Sequence, residues 1–164
     1  MLIICIYYFY YQTKIFSILF MSTIEKSYLM NASPEEVFEA LVNPDLIQNW
    51  SGDEAKMEAV VGAEFSLWSG QMFGKNLVVE KNKRLIQEWC YEQWSEPSQV
   101  TITIKPKGKL SVVTLLHENV PEKSVNSISD GWDSYYFGAI EEMFARGKKA
   151  LHTTSFQHKT NNVL

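Results

Sequence analysis

Apolar and polar positions alternate with a period of two through the middle of this chain and with a period near 3.6 at its end. Ile24, Lys26, Tyr28 and Met30 stand against Glu25, Ser27 and Leu29, which predicts an opening strand with one mainly apolar face. Ser33-Pro34-Glu35-Glu36 then reads as a capping box: the Ser33 hydroxyl accepts from a free N–H, Pro34 takes the first helical position, and Glu36 reaches back. Val37, Phe38, Leu41 and Val42 form the buried side of that helix. Asn43-Pro44-Asp45 repeats the start signal for a second short helix running to about Trp50, and Ser51-Gly52-Asp53 ends it. Strands are predicted over 55–60 (weak), 64–68, 74–80, 84–94, 99–105 and 109–118, with turn signals at Gly62, Ser69-Gly70, Lys81-Asn82-Lys83 and Pro106-Lys107-Gly108. A polar stretch, 121–128, leads to a final helix over 129–146 that Ser129 or Asp130 can cap.

That helix carries Trp132, Tyr135, Tyr136, Ala139, Ile140, Met143 and Phe144 at helical spacing. So wide a stripe needs a broad partner, and the concave face of a curved antiparallel sheet is the natural one. The expected architecture is α+β, about seven antiparallel strands around a long C-terminal helix. Gly131 and Gly138 lie inside the helix, where each costs about 1 kcal/mol relative to Ala, so a packing reason is expected, the simplest being close approach of the sheet.

With 164 residues, 46% of them hydrophobic and 21% charged, the chain suits one domain with a single sizeable core. A net charge of -4 argues against sequence-independent binding of nucleic acid. The basic cluster Arg146-Gly147-Lys148-Lys149 reads as a helix C-terminus with a Gly stop. Cys5 and Cys90 give no disulfide framework, which fits a reducing compartment and a cytoplasmic protein. Residues 1–20 are apolar except for Gln12, Thr13, Lys14 and Ser17. They read as an over-extended start, because Met21-Ser22-Thr23 looks like a conventional opening, or as a membrane anchor in which Lys14 costs about 2.5–3.5 kcal/mol. A membrane is a partner only in the second case. Residues 21–150 are expected to form the domain and 151–164 a flexible tail.

Catalytic signals are thin. His117-Glu118-Asn119-Val120-Pro121 lacks the second His of a metalloprotease helix, and Gly70-x-x-x-Gly74-Lys75-Asn76 is one residue short of a phosphate-binding loop. Cys90 and His117 on late strands allow a nucleophile and base, although a Cys in a strand is more often a small core residue. Glu88 shares its side with Ile86 and Cys90, so a core-facing Trp89 turns Glu88 to solvent. No catalytic residue, metal ligand or cofactor is assigned. The aromatic residues are the better lead, and they predict a mostly apolar pocket with handles from Tyr hydroxyls, Trp N–H groups or Gln87. Its expected members are Phe65, Trp89, Trp132, Tyr135, Tyr136 and Ile140, and its expected occupant is a small hydrophobic or amphipathic molecule.

Three stretches stand in order: 24–50 (IEKSYLMNASPEEVFEALVNPDLIQNW), 61–74 (VGAEFSLWSGQMFG), and 120–144 with Pro121 and Asp130-Gly131-Trp132-x-x-Tyr135-Tyr136. Together they resemble the activator of heat-shock-protein-90 ATPase homologue family, within the helix-grip superfamily that includes START lipid-transfer domains and birch-pollen-allergen-like proteins. The resemblance implies a β-α-α-β6-α helix-grip fold with a hydrophobic cavity between sheet and last helix. It also implies a second reading, a chaperone cofactor or stress-response interaction module. The likeness is to the family cochaperone's second domain, not to its amino-terminal domain with the Asn- and Trp-rich motif. A third reading is a weak cyclase or hydrolase that uses a cavity carboxylate.

Overall fold

The computed structural model describes residues 21–147 apart from residue 92. The expected leader (1–20) and tail (151–164), with Cys5, His152 and His158, lie outside the described residues. Strand β1 (Met21–Met30) leads through helices α1 (Pro34–Val42) and α2 (Pro44–Ser51) to β2 (Glu64–Leu67) and β3 (Met72–Glu80). The strands β4 (Arg84–Tyr91), β5 (Ser98–Lys107) and β6 (Leu110–Pro121) follow, and a last helix, α3, begins at Val125 and continues to residue 147. Among the described residues the strands form one antiparallel sheet in the order β1-β6-β5-β4-β3-β2. This is the α+β helix-grip architecture, with α3 against the concave face.

Local chemistry sets the entry helices. The Ser33 side chain accepts from the Glu36 N–H at 3.2 Å, and the Glu36 carboxylate accepts from the Ser33 N–H at 2.7 Å. Ser33→Ala is expected to lower stability by about 1 kcal/mol, read as a shifted urea midpoint with unchanged slope. Asn43 Oδ1 caps α2 through Asp45 N–H at 3.0 Å, and Gly52 closes it at φ 75°. The Trp50 indole donates to the Ala40 carbonyl at 2.8 Å and locks the two helices together.

The sheet has six strands among the described residues, where about seven were expected. The difference is the weak 55–60 segment, which contributes a single bridge between Lys56 and Ser66. The Asn76 amide takes the carbonyls of Glu58 (2.7 Å) and Val60 (3.3 Å), so this stretch is pinned by a side chain instead of a ladder. In β3, Gly74 is required by crowding: a Cβ there would collide with the Glu88 carbonyl and sit 3.0 Å from the Phe65 ring. Phe65 thereby lies across the glycine toward Trp89, at 5.8 Å between ring centroids.

The last helix starts four residues before the expected position and is not uniformly α-helical. Val125–Gly131 is α-helical, Trp132–Tyr136 is a π-helical turn, and 137–147 is α-helical again. The Phe137 N–H donates to the Trp132 carbonyl, five residues back. This wider turn stacks Trp132 on Phe137, at 5.7 Å, and rotates the buried face so that Phe137 is inside while Tyr135 is 71% exposed. It also explains Gly138, whose Cβ would strike the Asp133 carbonyl of the π-turn and not the sheet. Gly131 has open space beside it, so close approach of the sheet accounts for neither glycine. Asp133 projects from the turn to β1, where Lys26 Nζ donates to it at 2.5 Å and the Tyr28 hydroxyl at 2.8 Å.

The core lies between Leu85, Trp89, Ile102 and Leu115 of the sheet, Phe38 and Leu41 of α1, and Trp132, Tyr136, Phe137 and Ile140 of α3. Among the described residues no helix is long and apolar enough to cross a membrane.

Candidate functional site: an aromatic cleft beside the last helix

A cleft of about 550 Å³ opens between the first half of α3, the end of α2 and the β2–β3 connection. It is open to solvent along one side. Trp50, Trp68, Trp89, Trp132, Tyr135 and Tyr136 wall it. Tyr136 is the hub, with its ring centroid 4.7 Å from Trp132, 4.9 Å from Trp50, 6.0 Å from Trp89 and 6.2 Å from Trp68. The rings meet tilted or edge-on, the arrangements that aromatic quadrupoles favour. Burial pushes the Tyr136 hydroxyl well above the usual tyrosine range, so it stays protonated at neutral pH.

Two buried polar chains fix the wall rings from behind. The Trp132 indole donates to His117 Nδ1 at 3.1 Å. An indole only donates, so Nδ1 is the acceptor and the imidazole proton is assigned to Nε2. From there it points to Ser98 Oγ at 2.8 Å, and Ser98 in turn donates to the Trp89 carbonyl at 3.3 Å. Burial pushes His117 down to about 4, so it is neutral at neutral pH. In the second chain the Trp89 indole donates to Gln87 Oε1 at 3.0 Å, and the Gln87 amide donates to Asn76 Oδ1 at 2.8 Å. Both indoles are thus committed to the sheet, which fixes these two rings of the wall.

Strained backbone forms one lip. Trp68 (φ 50°) and Ser69 (φ 54°) occupy the left-handed region, followed by Gly70 at φ 92°. A non-glycine residue there costs on the order of 1–3 kcal/mol and persists only where the surroundings hold it. Here the Ser69 hydroxyl donates to Asp53 Oδ1 at 2.5 Å and the Ser69 N–H to the Glu54 carbonyl at 3.2 Å.

Of the six residues expected to form the pocket, Trp89, Trp132, Tyr135 and Tyr136 line the cleft. Phe65 packs behind Trp89, and Ile140 is fully buried in the core. Gln87 stands behind the Trp89 indole instead of facing the cleft. Trp50 and Trp68 complete the wall without having been assigned to it: the sequence marks Trp50 only as a helix end and Trp68 only as one aromatic among many. His117 and Asn76 were also missed as buried supports. Their inward parity was the available signal, since the register sets Gln87 opposite both Asn76 and Val100, and Val100 opposite His117.

Cys90 and His117 make no nucleophile–base pair. Cys90 is on the convex face with Glu88, which Lys75 approaches at 3.1 Å, whereas His117 faces the core. Burial, and secondarily Glu88, pushes the Cys90 thiol up and away from the reactive thiolate. Among the described residues no group of three metal-ligating side chains converges.

A family model described as Activator of Hsp90 ATPase homolog 1-like protein matches residues 31–145. The human activator of 90 kDa heat shock protein ATPase homolog 1 is 26% identical over 129 residues, covering 77% of this chain and 38% of the relative. The homolog from Dictyostelium discoideum is 27% identical over 120 residues, covering 71% of this chain and 31% of the relative. The chain thus spans well under half the length of these curated relatives. The crystal structure of an HSP90 activator from Plasmodium falciparum matches with a TM-score of 0.70 at 25% identity, over 75% of this chain and 96% of that one. CalU16 from Micromonospora echinospora matches with a TM-score of 0.61 at 26% identity, over 77% and 79%. With the family model matched across most of the chain, the protein belongs to the Activator of Hsp90 ATPase homolog 1-like family.

Proposed function

We propose that this protein binds a small hydrophobic or amphipathic molecule in the aromatic cleft, as a binding domain that is at most weakly catalytic. The observation that carries the reading is the cleft itself: several hundred cubic ångströms, walled by six aromatic rings and braced from behind by hydrogen bonds. The Tyr136 hydroxyl, without a hydrogen-bond partner among the described residues, gives an occupant one polar handle. The domain of the proposal is 21–150, in a cytoplasmic setting that the free thiol of Cys90 suits. A membrane enters it only if residues 1–20 act as an anchor.

Tyr135 offers the cleanest test, because its exposed ring contributes little to the core. Titration with Nile red, a neutral apolar dye, should saturate at one site per chain. Tyr135→Ala should weaken that binding by about threefold to tenfold while the melting temperature stays within a degree or two. No uptake by the parent protein, or equal uptake by the variant, would sink the proposal.

A second reading, a chaperone cofactor or stress-response interaction module, draws support from the named HSP90 activators among the relatives and from Tyr135 standing out at the lip. Its test is the ATPase rate of an HSP90 titrated with this protein. A saturable rise abolished by Tyr135→Ala favours it, and an unchanged rate argues against it.

A further inference from the structure

We propose that the molecule held in the cleft is a cationic amphiphile: an ammonium group on an apolar body, with the body among the aromatic rings and the charge at Glu142. This rests on the small-molecule reading above and deepens it. The cleft lining contains one acidic side chain, Glu142, and no Lys, Arg or His. Tyr135, Ala139 and Glu142 follow one another on one face of α3, so the carboxylate terminates the aromatic floor on that helix. Glu142 has no ion pair among the described residues. Arg146, one turn further on, lines a different groove with Glu35 and Met143.

The two ends of the cleft therefore differ in character. Four of the six wall rings are Trp and offer apolar surface to the body of a ligand. The carboxylate sets a negative charge at the other end. The remaining polar lining, Ser51, Gln71, Ser127 and Ser134, is neutral. A fatty acid or other anionic amphiphile would bring its head group to a site with no cation to receive it, against the repulsion of Glu142. An alkyl or aryl ammonium fits both ends, its body among the rings and its charge at the carboxylate.

The test compares three octyl probes on the full chain below their micellar concentrations: octyltrimethylammonium, octyl sulfate and 1-octanol, followed by calorimetry and by quenching of tryptophan fluorescence. The ammonium probe should bind at least about fivefold more tightly than octanol, and octyl sulfate more weakly than either. Glu142→Gln should bring the ammonium-to-octanol ratio to within about twofold of unity. Glu141→Gln makes the same change in net charge on the neighbouring position, which faces β1 through Tyr28, and should preserve the ratio. Binding of octyl sulfate as tight as that of the ammonium probe, or a preference that survives Glu142→Gln, would overturn the cation assignment and leave the cleft reading standing. Failure of all three probes to bind would overturn both.

Discussion

Trp89→Ala is expected to remove about 3–5 kcal/mol of stability, a large share of the roughly 5–15 kcal/mol that a domain of this kind possesses. The side chain is buried and packs against two of the other wall rings, Trp132 and Tyr136. Its ring lies 4.9 Å from Trp132, 5.8 Å from Phe65 and 6.0 Å from Tyr136, so truncation opens a cavity between sheet and helix. It also leaves Gln87 Oε1 without its donor, in a buried chain that continues to Asn76. Trp89→Phe keeps one aromatic ring in place but loses the N–H and the volume of the second, fused ring. It should cost less than Ala, about 2–3 kcal/mol, from one orphaned buried acceptor and a smaller cavity. Urea unfolding of both variants measures the difference. Equal losses for Ala and Phe would mean that the polar chain, and not ring packing, carries the weight at this position.

Acidification through the histidine range should destabilise the fold. His117 is held neutral by burial, with its folded-state value near 4 against about 6.5 when unfolded. A depressed value gives stability that is complete above the unfolded pKa and is lost as pH falls toward the folded one. Between pH 6.5 and pH 5 the loss should reach about 2 kcal/mol, and toward pH 4 about 3 kcal/mol. The geometry supplies the reason. A second proton on the ring would have to sit on Nδ1, facing the Trp132 N–H that donates to it now. Urea midpoints measured from pH 7.5 to pH 5 should fall steadily in the parent protein and stay nearly flat in His117→Gln. A flat parent curve would show that His117 is not buried neutral. Because Trp132 forms part of the cleft wall, binding of an apolar probe should weaken over the same interval.

Much of the scaffold was legible because local chemistry and tertiary structure agree. Ser33 and Asn43 cap the helices that their spacing announces, and Asn82 and Gly108 adopt the left-handed conformations that the turn signals require. Parity along β4 correctly turned Trp89 inward and Glu88 outward. Two departures arise where the pattern alone misleads. Residues 55–60 alternate weakly enough to pass for a strand, but the Asn76 amide takes two of their carbonyls. A uniform 3.6-residue period places Tyr135 on the buried face, and the π-turn at Trp132–Tyr136 moves Phe137 there instead. Nothing in the residue types of that turn announces the extra residue, except Gly138, which alone tolerates the Asp133 carbonyl beside it. The cleft was half legible for a related reason. Its helix side follows from the apolar stripe, whereas its far lip depends on Trp68, in a strained turn anchored by Asp53 and Glu54.

Native mass spectrometry of the full-length protein, isolated from its own source without denaturation, tests most directly whether the aromatic cleft is a ligand site. The expected spectrum contains a protein mass raised by one small molecule, which denaturation releases and which the Tyr135→Ala protein retains poorly. A clean ligand-free mass, with no uptake from a mixture of lipids and small metabolites, would contradict a small-molecule role for the cleft.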